Sequence, residues 1–374
     1  MIGALSPGRT LLGIPWYSLL IVCAIILATW LCSREEARLR LPKDTVIDLA
    51  LWLIPGGIVG ARLYYVAFEW ERFASRPLSV FYIWEGGIAI YGALIGGGIA
   101  AFLFARKKRL SLSLLADMVL PTVALAQGIG RWGNYFNMEA YGEAIIDPSW
   151  KFFPFGVLIP HADGYAWHLA TFFYESIWDL GVFAVLWYVR KRVYRQGDVA
   201  LWYILLYGPG RAFIEGLRTD SLYAGGGVRI SQWLSLAACL YVCCLFVSRG
   251  LKQNSGAVLK ARLILNFLPC ITGLAALLLS AQPSLDWRLR ALPSWAGLIA
   301  LIVIPHPIGI RPTAFIASAL LPVAQILALW QETSFDPLLF KTIQMAIAGL
   351  SFPAVGYLLY PSTVILKEES PCGT

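Results

Sequence analysis

The chain has 374 residues, of which 58% are hydrophobic and only 14% are charged, against roughly 25% charged residues in a soluble domain. This composition excludes an ordinary soluble enzyme, because a folded chain of this size must expose a large polar surface to water. The net charge of +8 is typical of cytoplasmic loops held against anionic lipid, so we expect no nucleic-acid binding.

Apolar runs long enough to cross about 30 Å of hydrocarbon predict transmembrane helices along the chain. Seven of them form the predicted core, at residues 11–32, 47–68, 87–105, 112–130, 172–189, 199–217 and 230–248. Four further candidates follow, at residues 263–281, 294–310, 313–330 and 338–360. The first run has full spanning length and no small-residue cleavage site after it, so we interpret it as a retained helix and not as a signal peptide. The predicted fold class is an all-α polytopic membrane protein.

Basic residues in the loops predict the orientation of these helices. One series of loops contains sixteen: Arg34, Arg38, Arg40, Lys43, Arg106, Lys107, Lys108, Arg109, Arg190, Lys191, Arg192, Arg195, Arg249, Lys252, Lys260 and Arg262. The opposite series contains eight: Arg9, Arg72, Arg76, Arg131, Lys151, Arg211, Arg218 and Arg229. By the positive-inside rule, the N-terminus then lies outside and residue 250 lies inside. Residues 131–170 become an external head segment, rich in aromatic residues, proline and glycine.

Two tyrosines in the first half of the chain, Tyr17 and Tyr91, are candidate site residues. Tyr17 follows Pro15 and Trp16 at the outer end of the first helix, where an aromatic-belt residue is also expected. Tyr91 is the one functional side chain in the glycine-rich run 86–98. Taken alone, that run favours close helix packing, because small residues let helices approach each other.

Polar groups at membrane depth are expensive and therefore indicate a functional site. The first cluster follows the apolar run that ends at Ala126, and it contains Arg131, Asn134, Asn137 and Glu139 among glycines. Glycines there would let the backbone approach a ligand closely. An outer-interface turn with a snorkelling arginine is the simpler alternative.

The second cluster is Tyr207, Arg211, Glu215 and Arg218, whose spacings of four, four and three residues place them on one face of a helix. Pro209 between two glycines is expected to break or kink this helix and to form a cavity wall. The alternative is an ion pair that only neutralises two charges. Two arginines supported by carboxylates near the outer leaflet best suit a phosphate, and the abundant phosphate in a bilayer is a phospholipid headgroup.

Residues 130–142 read GRWGNYFNMEAYG. They follow throughout the signature GRxGNxxNxExxG of the bacterial prolipoprotein diacylglyceryl transferase (Lgt) family, which the chain therefore resembles. Shorter supporting matches are residues 15–17, 60–62, 86–96, 174–176, 207–211 with Glu215 and Arg218, and 232–235. The resemblance covers about residues 10–250 and is far more specific than a lone glycine motif.

The resemblance implies a seven-helix Lgt-like catalytic core at residues 1–250. Residues 251–374 would be an additional C-terminal transmembrane region, with about four extra helices and no role that we can assign. The implied enzyme is a transferase of the bacterial plasma (inner) membrane that acts in the first step of lipoprotein maturation. Its partners would be phosphatidylglycerol, preprolipoprotein signal peptides with a lipobox cysteine, and the lipid bilayer. No cofactor or metal is expected.

The implied reaction moves the diacylglyceryl group of phosphatidylglycerol onto the lipobox thiol, forms a thioether and releases glycerol phosphate. By resemblance, Arg131 holds the phosphate, and Arg211 stabilises charge on the leaving phosphate or the incoming thiolate. The predicted catalytic residues are Arg131, Arg211, Glu139, Glu215 and Tyr91. The predicted substrate-binding residues are Arg131, Asn134, Asn137, Gly142, Tyr17, Tyr207 and Arg218.

Tyr91 departs from the family pattern, because many members have at this position a histidine that is proposed as the base. An ordinary phenol has a pKa near 10 and a cysteine thiol a pKa near 8.5, so tyrosine is a poor base for this thiol. We hypothesise that the two arginines lower the thiol pKa directly. Tyr91 would then hydrogen-bond or position the headgroup.

Two other classes of protein compete with this interpretation. Broken helices and buried charges also occur in transporters and channels, but we see no inverted repeat of the Gly-Pro-Gly segment. Other lipid-headgroup enzymes are the second alternative, although clustered aspartates and an HxxxxD motif are both absent from the sequence. Extra helices that pack on the core are our preferred interpretation of residues 251–374, ahead of a partner-docking role.

Overall fold

A computed structural model of the chain describes residues 10–162, 164–193, 195–219 and 230–253. Within these ranges the long helices are α1 (Trp16–Leu39), α2 (Thr45–Phe68), α4 (Ile90–Lys108), α5 (Leu112–Asn137), α6 (Thr171–Val189), α7 (Asp198–Leu217) and α8 (Ile230–Gln253). A short helix, α3 (Trp70–Ala74), follows α2. Each of the seven predicted core runs overlaps one of the long helices.

Five of the helices in the described ranges, α1, α2, α4, α5 and α6, are long and apolar enough to cross a membrane. The protein is therefore a mostly helical, multi-pass membrane protein. In α8 the apolar stretch is shorter, Ala237–Arg249. The four predicted C-terminal runs lie outside the described residues.

Short β-hairpins accompany the helices, which the all-α prediction did not include. Strand β1 (Thr10–Leu11) pairs antiparallel with β2 (Ile14–Pro15) just before α1. In the predicted head segment, β3 (Gly156–His161) pairs antiparallel with β4 (Gly164–Leu169), with Gly156 opposite Leu169.

A tight turn in the head segment precedes this second hairpin. The backbone N–H of Ser149 donates a hydrogen bond of 2.9 Å to the Asp147 carboxylate. This bond holds the pKa of the Asp147 carboxyl below its usual value, because it stabilises the charged form. Asp147 is therefore an ionised surface residue.

The described residues group into two compact units. The first contains the residues up to Leu20, Gln127–Tyr188 and those from Leu201 onward. The second contains Ile21–Ala126 and Val189–Ala200. The chain passes between the units within α1, α5, α6 and α7.

The second unit is built on very close packing of α2 against α4. A Cβ atom added to Gly60 would lie 2.3 Å from the carbonyl oxygen of Gly92, and one added to Gly96 would lie 2.2 Å from that of Gly56. The backbones thus touch directly, which is the packing that small residues permit between membrane helices. The glycine-rich run 86–98 therefore contributes to helix packing, in agreement with the packing interpretation.

Replacing Gly96 with alanine should lower the melting temperature of the purified protein, because the new methyl group meets backbone atoms that cannot rotate away. Gly97→Ala is the matched control, since a Cβ at the adjacent position has no heavy atom within 4 Å. Thermal unfolding in detergent compares the two variants. Equal melting temperatures would contradict the close packing of α2 on α4.

Arg62 has a structural role in the second unit. Its side chain, on a residue only 6% exposed, donates to the backbone carbonyl oxygens of Ser79, Val80, Tyr82, Gly86 and Gly87 at 2.6–3.3 Å. One guanidinium thereby fixes the loop between α3 and α4. The glycine-rich run starts in a defined position as a result.

Candidate functional site

Glu175 joins the two arginines that the sequence singles out. Its Oε1 atom lies 2.7 Å from Nη2 of Arg131 and 2.9 Å from Nη1 of Arg211. The Glu175 side chain is 3% exposed, and those of the two arginines are 21% and 19% exposed. One buried carboxylate thus holds both guanidinium groups together while each keeps part of its surface accessible.

Glu215 supplies a second carboxylate to the same cluster. Its Oε2 atom lies 2.5 Å from Nη2 of Arg211, one helical turn earlier on α7. Arg211 therefore lies between two carboxylates, one on its own helix and one on α6. We call Arg131, Arg211, Glu175 and Glu215 the arginine cluster.

The position of Arg131 next to Glu175 follows from the contact between α5 and α6. The Ser176 hydroxyl donates to the carbonyl oxygen of Gly128 at 2.7 Å and accepts from Nε1 of Trp132 at 3.2 Å. A Cβ on Gly128 would lie only 3.0 Å from Leu180. The residues on either side of Arg131 are therefore fixed to the helix that carries Glu175.

The expectation is that Pro209 breaks or kinks the helix; α7 runs through Pro209 without a break, so the predicted break is wrong. The flanking glycines have a packing role. A Cβ on Gly210 would lie 1.9 Å from Nε1 of Trp178, and one on Gly208 would lie 2.6 Å from Sγ of Cys239. Close approach of α6 and α8, and not chain irregularity, explains this Gly-Pro-Gly sequence.

Tyr207 and Arg218 are the other two residues that the sequence predicts on the helical face of Arg211 and Glu215. Tyr207 stacks on Tyr203, with ring centroids 5.3 Å apart. Arg218 lies just beyond the last residue of α7, so it does not continue the helical face of Arg211 and Glu215 as predicted. Its backbone forms an isolated antiparallel bridge with Gly142 instead.

The signature residues after Arg131 form a second polar group. α5 continues to Asn137, so Arg131, Asn134 and Asn137 are helical and do not lie in an external turn. The side-chain amides of Asn134 and Asn137 donate to Oε1 of Glu139 at 3.0 and 3.1 Å. Glu139 thereby binds two side chains in the last turn of α5, the helix that carries Arg131.

Gly142 is enclosed by backbone and side chains where the head segment returns to the helices. Its N–H donates to the carbonyl oxygen of Leu169 at 2.9 Å, and its own carbonyl oxygen lies 2.8 Å from Nδ1 of His168. A Cβ here would lie 2.9 Å from the carbonyl oxygen of Leu217. Glycine is required here, because a side chain would overlap Leu169 of β4 and the backbone of Leu217 at the end of α7.

Tyr17 packs directly on the signature helix. A Cβ on Gly133 would lie 2.4 Å from its ring, and the neighbouring Trp16 ring stacks on Phe136 at 5.0 Å. The absence of a side chain at Gly133 therefore leaves room for the ring of Tyr17. This contact places Tyr17 beside the helix that carries Arg131.

The structure thus places ten of the eleven predicted site residues in the first unit. These are Arg131, Arg211, Glu139, Glu215, Asn134, Asn137, Gly142, Tyr17, Tyr207 and Arg218, and the unpredicted Glu175 joins them. Tyr91, in contrast, belongs to the second unit, where its ring centroid is 6.4 Å from that of Tyr64.

The arrangement is suited to binding an anion. Guanidinium groups fixed by carboxylates present N–H donors in a rigid fork that matches phosphate oxygens. Within the described residues, no group of three or more His, Cys, Asp or Glu side chains is placed to hold a metal ion.

Comparison with known proteins agrees with these features. The family model described as prolipoprotein diacylglyceryl transferase matches residues 9–248. A phosphatidylglycerol-prolipoprotein diacylglyceryl transferase of Enterococcus faecalis is 45% identical over 250 residues, which are 65% of this chain and 90% of the relative. Proteins of the same name from Gloeobacter violaceus and Synechococcus elongatus are 46% and 43% identical, over 63% and 68% of this chain and 90% and 92% of their own lengths.

Proposed function

The chain belongs to the prolipoprotein diacylglyceryl transferase family, and from this premise we propose how it transfers the diacylglyceryl group of phosphatidylglycerol to prolipoproteins. The transfer takes place at the arginine cluster. One observation supports this above all, namely that a single carboxylate oxygen of Glu175 holds both Arg131 and Arg211. Membership of this family disfavours the transporter and the other lipid-headgroup enzymes considered from the sequence.

The two guanidinium groups bind the phosphodiester of phosphatidylglycerol. A guanidinium has five N–H donors, and among the described residues the ion pair of Arg131 with Glu175 uses its Nη2 atom. Further donors therefore remain for phosphate oxygens, on side chains that are about one-fifth exposed. Because Glu175 and Glu215 fix the guanidinium positions, little reorganisation is needed when the lipid arrives.

The reaction is a displacement at a glycerol carbon. The lipobox thiol releases its proton to solvent water, its sulfur forms a bond to the carbon, and the bond between that carbon and the phosphate oxygen breaks. The electron pair of that bond stays on the phosphate oxygen, and glycerol phosphate leaves. The arginines stabilise the negative charge that develops on this oxygen, so their effect is largest in the transition state.

The same charges promote formation of the thiolate. A thiol next to fixed guanidinium groups has a lowered pKa, because the charged form gains an electrostatic interaction. No strong base is then required at the position of Tyr91. We assign Tyr91 to hydrogen bonding or positioning of the headgroup, and Asn134, Asn137, Glu139 and Gly142 to shaping the end of α5.

Replacing Tyr91 with phenylalanine should weaken substrate binding and leave turnover largely intact, because the proposed role needs only one hydrogen bond. We expect KM for phosphatidylglycerol to rise about fivefold, equivalent to about 1 kcal/mol, with kcat little changed. Tyr165→Phe, on an exposed residue of β4, is the control. Loss of turnover with intact lipid binding would show that Tyr91 takes part in proton transfer.

We further propose that the N-terminus and residues 131–170 face outward from the bacterial plasma membrane, as the loop charges indicate.

Residues 251–374 pack as additional helices against the core. In support, the family match ends at residue 248. A chain that ends at Gln253 should therefore keep most of its transfer activity in reconstituted membranes, and complete loss in a folded truncation would assign residues 254–374 to catalysis.

The transfer itself is tested with a peptide that contains a lipobox cysteine and vesicles that contain phosphatidylglycerol. Mass spectrometry should detect a diacylglyceryl adduct on the cysteine and released glycerol phosphate. The same peptide with serine in place of cysteine, and vesicles of phosphatidylcholine, should give no adduct. Absence of the adduct from the complete mixture, with folded protein, would contradict the proposed reaction.

A further inference from the structure

Asp179 is a buried carboxyl for which the transfer reaction has so far no use. It lies on α6, one helical turn after Glu175, and it is 0% exposed. Neither of its carboxylate oxygens has a hydrogen-bond partner among the described residues. An ionised carboxylate in such a place is very unfavourable, because neither water nor a donor replaces its hydration.

Several charged or titratable side chains lie within electrostatic reach of Asp179. They are Glu175 on the same helix, Arg131 on α5, and Arg211, Tyr203 and Tyr207 on α7. Both arginines already pair with Glu175, and Arg211 also pairs with Glu215. The arginine cluster therefore contains two positive and two negative charges before Asp179 is considered.

The charge of Asp179 decides how well this site can accept an anion. With an ionised Asp179, the group would carry a net charge of −1 before the lipid binds and −2 with the phosphodiester in place. With a neutral Asp179, the same two states carry 0 and −1. Like charges packed in a poorly hydrated site repel strongly, so the neutral form favours phosphate binding.

We propose that Asp179 stays protonated through the reaction and is a positioning residue, whose neutral carboxyl keeps the arginines available to the phosphodiester. This inference rests on the proposed phosphate-binding role of Arg131 and Arg211. Glu175 then carries the negative charge on α6, and Asp179 occupies the next helical turn without adding a second negative charge. Asp179 neither donates nor accepts a proton during transfer.

Infrared spectroscopy of the protein without substrate tests the protonation state directly. A protonated carboxylic acid has a C=O stretching band that a carboxylate lacks. Wild-type protein at neutral pH should show this band, and Asp179→Asn should lose it. Asp147→Asn is the control and should keep the band, because Asp147 is an exposed, ionised residue of the head segment. A wild-type spectrum without the band, or a band that persists in Asp179→Asn, would overturn the proposal.

Transfer kinetics test the positioning role. Asparagine has the shape of a neutral aspartic acid, so Asp179→Asn should keep kcat within about threefold of wild type. In wild type, KM for phosphatidylglycerol should rise at alkaline pH as Asp179 ionises, and this rise should be absent in Asp179→Asn. A hundredfold loss of kcat in Asp179→Asn with unchanged lipid binding would show that Asp179 acts as a proton acceptor, which contradicts the proposal.

The two proposals fail in different ways. If Arg131→Ala bound phosphatidylglycerol normally, the phosphate assignment would be wrong, yet the infrared band would still report the proton on Asp179. If the band were absent while Arg131→Ala lost lipid binding, only the proposal for Asp179 would be wrong. The wild-type spectrum also decides the question if Asp179→Asn does not fold.

Discussion

Transfer of the diacylglyceryl group should fall by about 10³-fold when Arg131 is replaced by alanine, the size of effect expected when a preorganised group that stabilises developing charge is removed. The fold should survive this change. Glu175 keeps its contact with Arg211 at 2.9 Å, so this buried carboxylate still has a positively charged partner. We therefore expect near-normal melting temperature together with very low activity in reconstituted membranes.

Binding of phosphatidylglycerol should weaken in the same variant, because Arg131 is assigned to the phosphate in the ground state as well. Arg76→Ala, which removes an exposed basic residue of the second unit, is the control for loss of positive charge and should leave transfer unchanged. Near-normal transfer by Arg131→Ala would contradict the assignment of the phosphate to this arginine.

Glu175→Gln should impair both activity and stability, in contrast to Arg131→Ala. Glutamine has nearly the same shape but removes the charge that pairs with Arg131 and Arg211. Breaking a buried ion pair costs about 3–5 kcal/mol, since the remaining charge loses its compensation. We expect a clearly lower melting temperature in detergent and a loss of transfer of about 10²-fold.

The control for this variant is Glu71→Gln, which removes a carboxylate on an exposed residue of α3. It should change neither the melting temperature nor the transfer rate. If Glu175→Gln kept full activity, the arginines would not depend on Glu175 for their positions. The arginine cluster would then have to be held by Glu215 and the helix packing alone.

The sequence predicts the long helices well because apolar length is a strong signal in membrane proteins. It predicts their ends less well. The first run was placed at 11–32 and the fourth at 112–130, whereas α1 continues to Leu39 and α5 continues to Asn137. Both extensions contain several charged or amide residues, which lower the mean hydropathy but do not stop a helix from continuing by backbone hydrogen bonding.

The site was predicted in part. Arg131, Arg211 and Glu215 were identified because charges in or next to apolar runs are rare, and the structure places all three in one cluster. The role of Glu175 was missed, although it lies inside the apolar run 172–189. Glu175 and Asp179 are four residues apart in a predicted membrane helix, and this spacing is the signal that identifies them.

The Gly-Pro-Gly segment of α7 shows why local sequence can mislead. Local propensity predicts that Pro209 and the glycines beside it break or kink a helix. In the structure, contacts with Trp178 and Cys239 require the absence of side chains at Gly210 and Gly208, and the helix continues. Packing partners from distant parts of the chain are not visible in local sequence.

A single oxygen atom of Glu175 serves both arginines, so the two side chains are not energetically independent. A change in the charge or position of one guanidinium therefore changes the electrostatic interaction of the other guanidinium with that oxygen. The effects of substitutions at the two arginines will therefore not add, as is usual for residues that share a partner.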